Sequence, residues 1–447
     1  MSDQIRLSIK DFRAIKEADI KLNGITVVSG VNGSGKSTLS KFLYYTFKLA
    51  NNYESIVLGQ LRQSLSEVFH FVSILEREIL TFRNDKSISV ESKKTRSFRT
   101  SITSLEKKDE LIISIKSLVN SYIELQKNKL FKEENVSRIF YVLKNTLNDT
   151  SIEENDFELL IEKLYDEINN QFNNAESIIN SRPSNLLRNS LEGSFAETKL
   201  PNNYEISEYD VSIISNKSDF VPLVHSVQNI SYIDTPMMIG VDIFSDNDYW
   251  DNLNMDLTRK KNNPSISHEI IRNIIHKEIL KGECDYVDDL NSIQDETFLF
   301  KQDDGSVYNL LECATGVKSF SILQLLLKNG FLTKNTLLII DEPEAHLHPQ
   351  WIVEYARMIV LLNKEVGVKF FIASHSPDMV SAIKYISEKE QTTQNLEYYL
   401  AEQTKENPYL FNYKSLGTNI DPIFESFNIA LDRINQYGIS NEHNDLF

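Results

Sequence analysis

Apolar and polar residues alternate along IRLSIKDFRAIKEADIKLNGITVVSG near the start of the chain, and the stretch closes on the run ITVVSG. That pattern predicts a hairpin feeding a buried strand. A Gly-rich loop follows, and then STLSKFLYYTFKLA repeats apolar residues at helical spacing (Leu39, Phe42, Leu43, Phe47), so strand, loop and helix succeed one another. From about 53 to 185 the helical period dominates, in segments such as SEVFHFVSILEREILTF, SIKSLVNSYIELQKNKLF and FELLIEKLYDEINNQF, broken by a charged, strand-like interruption, SISVESKKTRSFRTSI. No heptad persists over many turns, which predicts a compact helical insertion and not a long coiled coil.

Strand character returns late in the chain. NISYIDTP (229–236) is a short β-rich run, SISHEIIRNIIHKEILKG is an amphipathic helix with Gly282 as its C-terminal cap, and FLFKQDDGSVYNL is a hairpin turning at Asp304-Gly305. Next come a helix (SFSILQLLLKNG), an apolar strand (TLLIID), a helix (WIVEYARMIVLLN) and another apolar strand (VKFFIAS). Wholly apolar strands alternating with helices predict a mostly parallel α/β sheet covered on both faces, with antiparallel strands at its N-terminal side. The implied division is 1–52 as the first part of this head, 53–190 as the insertion, 191–390 as the rest of the head, and 391–447 as a strand and helix extension.

Composition changes this picture little. The 447 residues amount to two to four domain-sized units, 41% hydrophobic and 25% charged, which excludes collagen-like and wholly disordered chains. Two cysteines, Cys284 and Cys313, fit a reduced compartment and exclude a CxxC zinc site. No apolar run reaches the roughly 20 residues that span a bilayer, and the opening MSDQIRLSIK lacks a signal-peptide core, so the expectation is a cytoplasmic protein with no membrane partner. The 64 acidic against 47 basic residues, net −17, disfavour general nucleic-acid binding. Lys93, Lys94, Arg96 and Arg99, or Arg259, Lys260 and Lys261, would suit a local basic groove; solvated turn or strand residues are the plainer reading.

The chemistry lies in three segments. Gly30-Val-Asn32-Gly33-Ser-Gly35-Lys36-Ser37-Thr38 fits GxxxxGK[ST] between an apolar strand and an amphipathic helix. Glycines let the loop turn its N–H groups inward, the helix N-terminus adds partial positive charge, Lys36 can reach the β- and γ-phosphates of ATP and Ser37 can ligate Mg²⁺. Leu337-Leu-Ile-Ile-Asp341-Glu342 ends a buried strand in two carboxylates at the sheet edge where such folds bind ligands. Asp341 is placed to hold the Mg²⁺ through water and Glu342 to orient or deprotonate an attacking water. Further on, FFIAS-His375-Ser-Pro puts a histidine at the tip of the next strand, where a neighbouring parallel strand would bring it near the γ-phosphate; a structural histidine is the alternative.

With these residues the chain resembles the ABC-type ATPase superfamily, in the branch of SMC, RecF and OLD proteins. The resembling parts are FRAIKEADIKLNGITVVSGVNGSGKST, LLIIDEPEAHLHP and FFIASHSPDMV. The resemblance implies a P-loop head that dimerises head to head, with a signature segment, here Ala314-Thr315-Gly316-Val317-Lys318-Ser319, contacting the partner's γ-phosphate through Thr315 and Gly316 and adding the charge of Lys318. The second glycine of the usual LSGGQ is missing, and Thr315 as a plain helix N-cap stays open. The family's Gln after the middle strand is absent too, and His348 stands where an aspartate usually follows the acidic block.

His346 and His348 lie two residues apart on a loop, with Asp341 and Glu342 already committed to Mg²⁺, so a metal pair there is set aside; Asp246-Asn-Asp248 is similar to the DxD of Toprim nucleases, but its position fits a polar loop. The chain thus reads as lacking a nuclease of its own. ISYIDTPMMIG, ATGVKSFSILQLL, IIDEPEAHLHPQW and IDPIFESFNIALDRI are similar to the ATPase subunits of Septu and related retron antiphage systems, the PtuA family. That likeness implies assembly with an HNH nuclease (PtuB) that acts on DNA within the complex. Rival readings are a DNA-repair ATPase of the SMC or RecF kind, a transporter ATPase subunit, and a scaffold that binds ATP without turning it over. Phe424, Phe427 and Ile429 on the last helix would either dock a partner or pack on the chain's own core.

Overall fold

The computed structural model describes residues 5–82, 93, 95–98, 102–128, 133–148, 156–195, 199–234, 248–259, 266–287, 297–425 and 435–437. The chain divides into two units, one of residues 1–51 with 184–447 and the other of 52–183.

In the first unit the alternation of the N-terminal stretch becomes the hairpin β1 (Ile5–Phe12) and β2 (Ile15–Leu22), each with one buried face. The strand β3 (Ile25–Ser29) is buried at every position and runs into the Gly-rich loop and α1 (Lys36–Asn51). The later apolar runs β10 (Thr336–Asp341) and β11 (Lys369–Ser374) are also buried throughout, as strands covered on both faces must be. With β4 (Asn203–Glu208), β5 (Val211–Ser215), β6 (Asn229–Ile233), β12 (Leu396–Gln403) and β13 (Phe411–Gly417) they form one ten-stranded sheet. Its order is β5-β4-β1-β2-β13-β12-β3-β11-β10-β6. The run β12-β3-β11-β10-β6 is parallel; β5, β4, β1 and β2 pair antiparallel as the pattern predicts, whereas β13 pairs antiparallel with β12 and parallel with β2 in the middle of the sheet. Phe12, Phe42, Phe195 and Tyr204 stack edge to face and tilted at centroid distances of 5.5–6.1 Å, joining β1, α1 and β4 in one core.

The second unit is helical: α2 (Tyr53–Ser64), α3 (Ser66–Phe82), α4 (Lys108–Lys127), α5 (Glu133–Thr146) and α6 (Phe157–Ser181). None runs as a long coiled coil. Helix α2 packs on α6, and α3 on both α4 and α5. Tyr122 and Phe157 meet with ring centroids 5.5 Å apart. Helix α7 (Ser184–Gly193) returns to the first unit.

Four features differ from the sequence pattern. The strand-like interruption is helical at Lys93 and Thr95–Phe98, with no regular structure at Ile102, and the Thr95 hydroxyl is bonded to Glu76. After α8 (Asp248–Thr258), the helix α9 (Ile266–Ile274) widens through Ile275–Leu280 and is capped by Lys281 in the left-handed region (φ 51°), not by Gly282. Gly282 instead opens β7 (Gly282–Val287), where a Cβ would lie 2.6 Å from Phe300 Cζ and 2.7 Å from Lys301 O. That strand joins β8 (Thr297–Gln302) and β9 (Val307–Asn309), the expected hairpin with Gly305 at φ 88°, in a three-stranded sheet. Finally, the strands after 391 are no extension. β12 and β13 sit between β3 and β2, inside the sheet, because their apolar faces complete the parallel core.

The remaining helices are α10 (Thr315–Lys328), α11 (Pro349–Val366) and α12 (Pro377–Lys389). Phe427 and Ile429 lie outside the described residues, as do 235–247 with Asp246, and Lys94, Arg99, Lys260 and Lys261. Among the described residues no helix is long and apolar enough to cross a membrane.

Candidate functional site

The carboxyl ends of β3, β11 and β10 lie side by side, in register Val28↔Ala373 and Ile340↔Ile372. The loops that leave them therefore converge at one edge. Around the first lies a cavity of about 270 Å³, lined by Arg13 and Ala14 of the β1–β2 turn, by residues 32–38, and by Glu342 and Ala373.

The loop's shape follows from its glycines. Gly33 and Gly35 sit at φ 80° and 96°, in the left-handed region that side chains avoid. At Gly35 a Cβ would also stand 2.8 Å from Ile15 Cγ1. The Lys36 ammonium folds back onto two loop carbonyls, Gly30 O at 2.8 Å and Val31 O at 3.1 Å. Burial draws its pKa below lysine's ordinary value, against the pull of Glu342, Asp341 and Glu344.

Asp341 and Glu342 are neighbours with opposite surroundings. Asp341 is 2% exposed, and each of its oxygens accepts a hydroxyl: Ser40 Oγ donates to Oδ1, and Tyr232 OH donates to Oδ2 at 2.8 Å. Burial pushes its carboxyl above the ordinary range, while Ser40, Tyr232 and Ser37 pull it back down. Glu342 is exposed and sits at φ 50°, a left-handed conformation that turns the chain at the strand end. Its N–H donates to Ala373 O at 2.8 Å, which keeps the turn against β11.

His375 lies beside it, with Nδ1 3.6 Å from Glu342 Oε1 and 3.3 Å from Glu344 Oε1. Glu344 fixes the histidine's position: its buried Oε1 accepts from Ser374 Oγ at 2.9 Å and from the His375 N–H at 3.0 Å. The structure thus gathers residues 30–38, Asp341, Glu342 and His375 at one edge. It adds Ser40, Tyr232 and Glu344, which sequence reasoning missed. Ser40 lies one helical turn after Ser37 on the same face, a spacing that carried the signal; Tyr232 had none short of the sheet register.

The signature residues are elsewhere. Thr315, Gly316 and Lys318 open α10, and none of them lines the cavity. Ala314 is the N-cap residue, so Thr315 is not the cap. At Gly316 a Cβ would stand 2.5 Å from Trp351 Cε3, so the glycine is required by close packing within the chain. Lys318 is buried. His348 caps α11, its Nδ1 accepting from Gln350 N–H at 3.4 Å, the work an aspartate would do at that position.

Among the described residues no group of three or more His, Cys, Asp or Glu could hold a metal ion. Magnesium does not need one, since it takes one or two carboxylate or hydroxyl ligands and fills the rest with water and phosphate oxygens. Ser37 beside a buried, hydroxyl-held Asp341 fits that demand, and the inward-curled loop with Lys36 fits a triphosphate.

A family model described as an AAA ATPase domain matches residues 5–380. Among solved structures, the Smc head domain with an extended coiled coil from Pyrococcus furiosus, bound to the C-terminal domain of ScpA, aligns over 97% of this chain and 100% of its own, at 11% identity and a TM-score of 0.34. The SMC head domain from Thermotoga maritima aligns over 93% and 99%, at 9% identity and a TM-score of 0.37. These are loose likenesses. No curated protein matches the chain.

Proposed function

The chain belongs to the AAA ATPase domain family, and from that premise we propose that it is the ATP-binding and ATP-hydrolysing subunit of an antiphage defence complex, working in the cytoplasm. The observation that carries the ATPase part is the convergence of the phosphate loop, Asp341, Glu342 and His375 on one edge. In this reading Gly30, Asn32, Gly33, Gly35 and Thr38 shape and line the phosphate cradle and Lys36 offers its ammonium to the β- and γ-phosphates. Ser37 and Asp341 would hold Mg²⁺, with Ser40 and Tyr232 fixing the Asp341 carboxylate by a hydroxyl on each oxygen. When bound, Mg²⁺ would supply neutralisation of charge on the phosphates. Glu342, exposed at the cavity and beside His375, takes a proton from the attacking water, and His375 orients at the γ-phosphate side.

Thr315, Gly316 and Lys318 would complete the site of a second copy in a head-to-head dimer, a role that requires Gly316 and Lys318, buried in this chain, to become accessible there. The helical unit begins one residue after α1, the helix that carries Lys36 and Ser37, so it is covalently placed to pass nucleotide state to a partner. The likeness to PtuA points to an HNH nuclease as that partner, meeting DNA through the complex.

Size-exclusion chromatography with light scattering tests this directly. The expected result is an ATP·Mg²⁺-dependent dimer for the full chain, monomer for Lys36→Ala, and co-purification with an HNH protein encoded beside it. A chain that stays monomeric with saturating ATP removes the dimer mechanism; a neighbourhood of repair genes with no HNH partner removes the defence role.

A further inference from the structure

The phosphate loop sits over two strands from much later in the chain. Ala401 of β12 and Tyr413 of β13 are directly opposite in their antiparallel pair, so both side chains stand on one face of the sheet. Ala401 meets the start of the loop: a Cβ on Gly30 would lie 2.7 Å from its own Cβ. Tyr413 meets the middle. Its OH donates to Ser34 O at 2.9 Å, and a Cβ on Gly35 would lie 3.6 Å from that hydroxyl oxygen. A small residue thus lets one end of the loop settle on the sheet, while a long one reaches up to the other.

That one hydrogen bond sets a direction. A trans peptide is planar, with its C=O and N–H pointing opposite ways, so holding Ser34 O toward the sheet turns the Gly35 N–H away from it, to the cavity that Gly35 lines. Little else resists a turn of this peptide. Gly35, at φ 96°, carries no Cβ to bar a flip. The Ser34 N–H reaches Val31 O only at 3.3 Å, and the buried Ser34 hydroxyl has no partner among the described residues. Burial pushes the Tyr413 phenol above its ordinary value, and the bond to Ser34 pulls it partly back, so at neutral pH the hydroxyl keeps its proton and donates. Tyr413 itself does not line the cavity and acts through Ser34.

We propose that Tyr413 is a positioning residue: it holds the Ser34–Gly35 peptide so that the Gly35 N–H already faces the cavity when a phosphate oxygen arrives. This rests on the ATP-site reading above and adds to it the residue that sets the loop in advance. Tyr413→Phe in the full chain removes only the hydroxyl. A loop N–H serves ground state and transition state alike, so KM for ATP is expected to rise about tenfold with kcat within about twofold. Calorimetry is expected to show the same loss of affinity for ATP·Mg²⁺ and for tripolyphosphate·Mg²⁺. Tyr398→Phe is the control. Tyr398 is buried in β12 and its OH donates to Val380 O on α12 at 3.1 Å, a bond of the same kind that does not involve the loop. That variant is expected to melt at a lower temperature and to leave KM within about twofold. Wild-type affinity in Tyr413→Phe, or a KM raised as far by Tyr398→Phe, overturns the positioning role. If the unmutated chain binds neither ATP nor tripolyphosphate, the ATP-site reading itself falls, and this role with it.

Discussion

The nucleotide cavity and the N-terminus of α10 were both expected to touch ATP, and they are built in opposite ways. At the cavity, four separated stretches of sequence meet: the β1–β2 turn, the phosphate loop, the end of β10 and the end of β11. At α10, Gly316 is pressed under Trp351, Lys318 is buried, and none of the signature residues lines the cavity. The first is a site a single chain can assemble. The second is packing within the chain, where at the start of the helix only Ala314, Thr315 and Val317 are not buried.

Three substitutions bear on that contrast. Glu342→Gln should have the largest effect, lowering kcat by about 10²–10⁴ with ATP affinity nearly unchanged, as loss of a general base does; equal turnover in both proteins would take catalysis out of the cavity. Gly316→Ala comes next. Its Cβ would meet the Trp351 ring, so thermal melting should report about 1–3 kcal/mol of lost stability in the chain alone, without nucleotide. An unchanged melting curve would mean that Trp351 gives way freely and that the glycine serves something other than packing. The smallest effect is expected from Tyr232→Phe, which removes one hydroxyl from a buried carboxylate and should raise the Mg²⁺ concentration needed for half-maximal ATP binding about tenfold. No shift would leave Ser40 and Ser37 as sufficient holders of Asp341.

What was legible in the sequence was local. The phosphate loop is one contiguous motif between a strand and a helix, so Gly30 to Thr38 could be named with their surroundings, and the apolar runs of β3, β10 and β11 announced strands covered on both faces. Residues recruited across the fold were not. Tyr232 reaches Asp341 only because β6 pairs with β10, and Glu344 acts through the backbone of His375 on a different strand. The hairpin β4–β5 and the strand β7 passed unseen because their alternation is short and mixed with charge. Lys281 takes the left-handed cap position expected of the glycine, and Gly282 serves instead the close packing of β7 against Phe300.

The place of β12 and β13 in the sheet has a consequence for how the protein is made. β3 borders β12, and β2 borders β13, so the first hairpin and the phosphate loop are joined across strands that the ribosome delivers far later in the chain. At roughly 5–20 residues per second, β1 to β3 wait tens of seconds after synthesis for their neighbours. The helical unit, contiguous in sequence, has no such wait. A nascent chain released early would carry the whole phosphate-loop motif and still lack the floor beneath it.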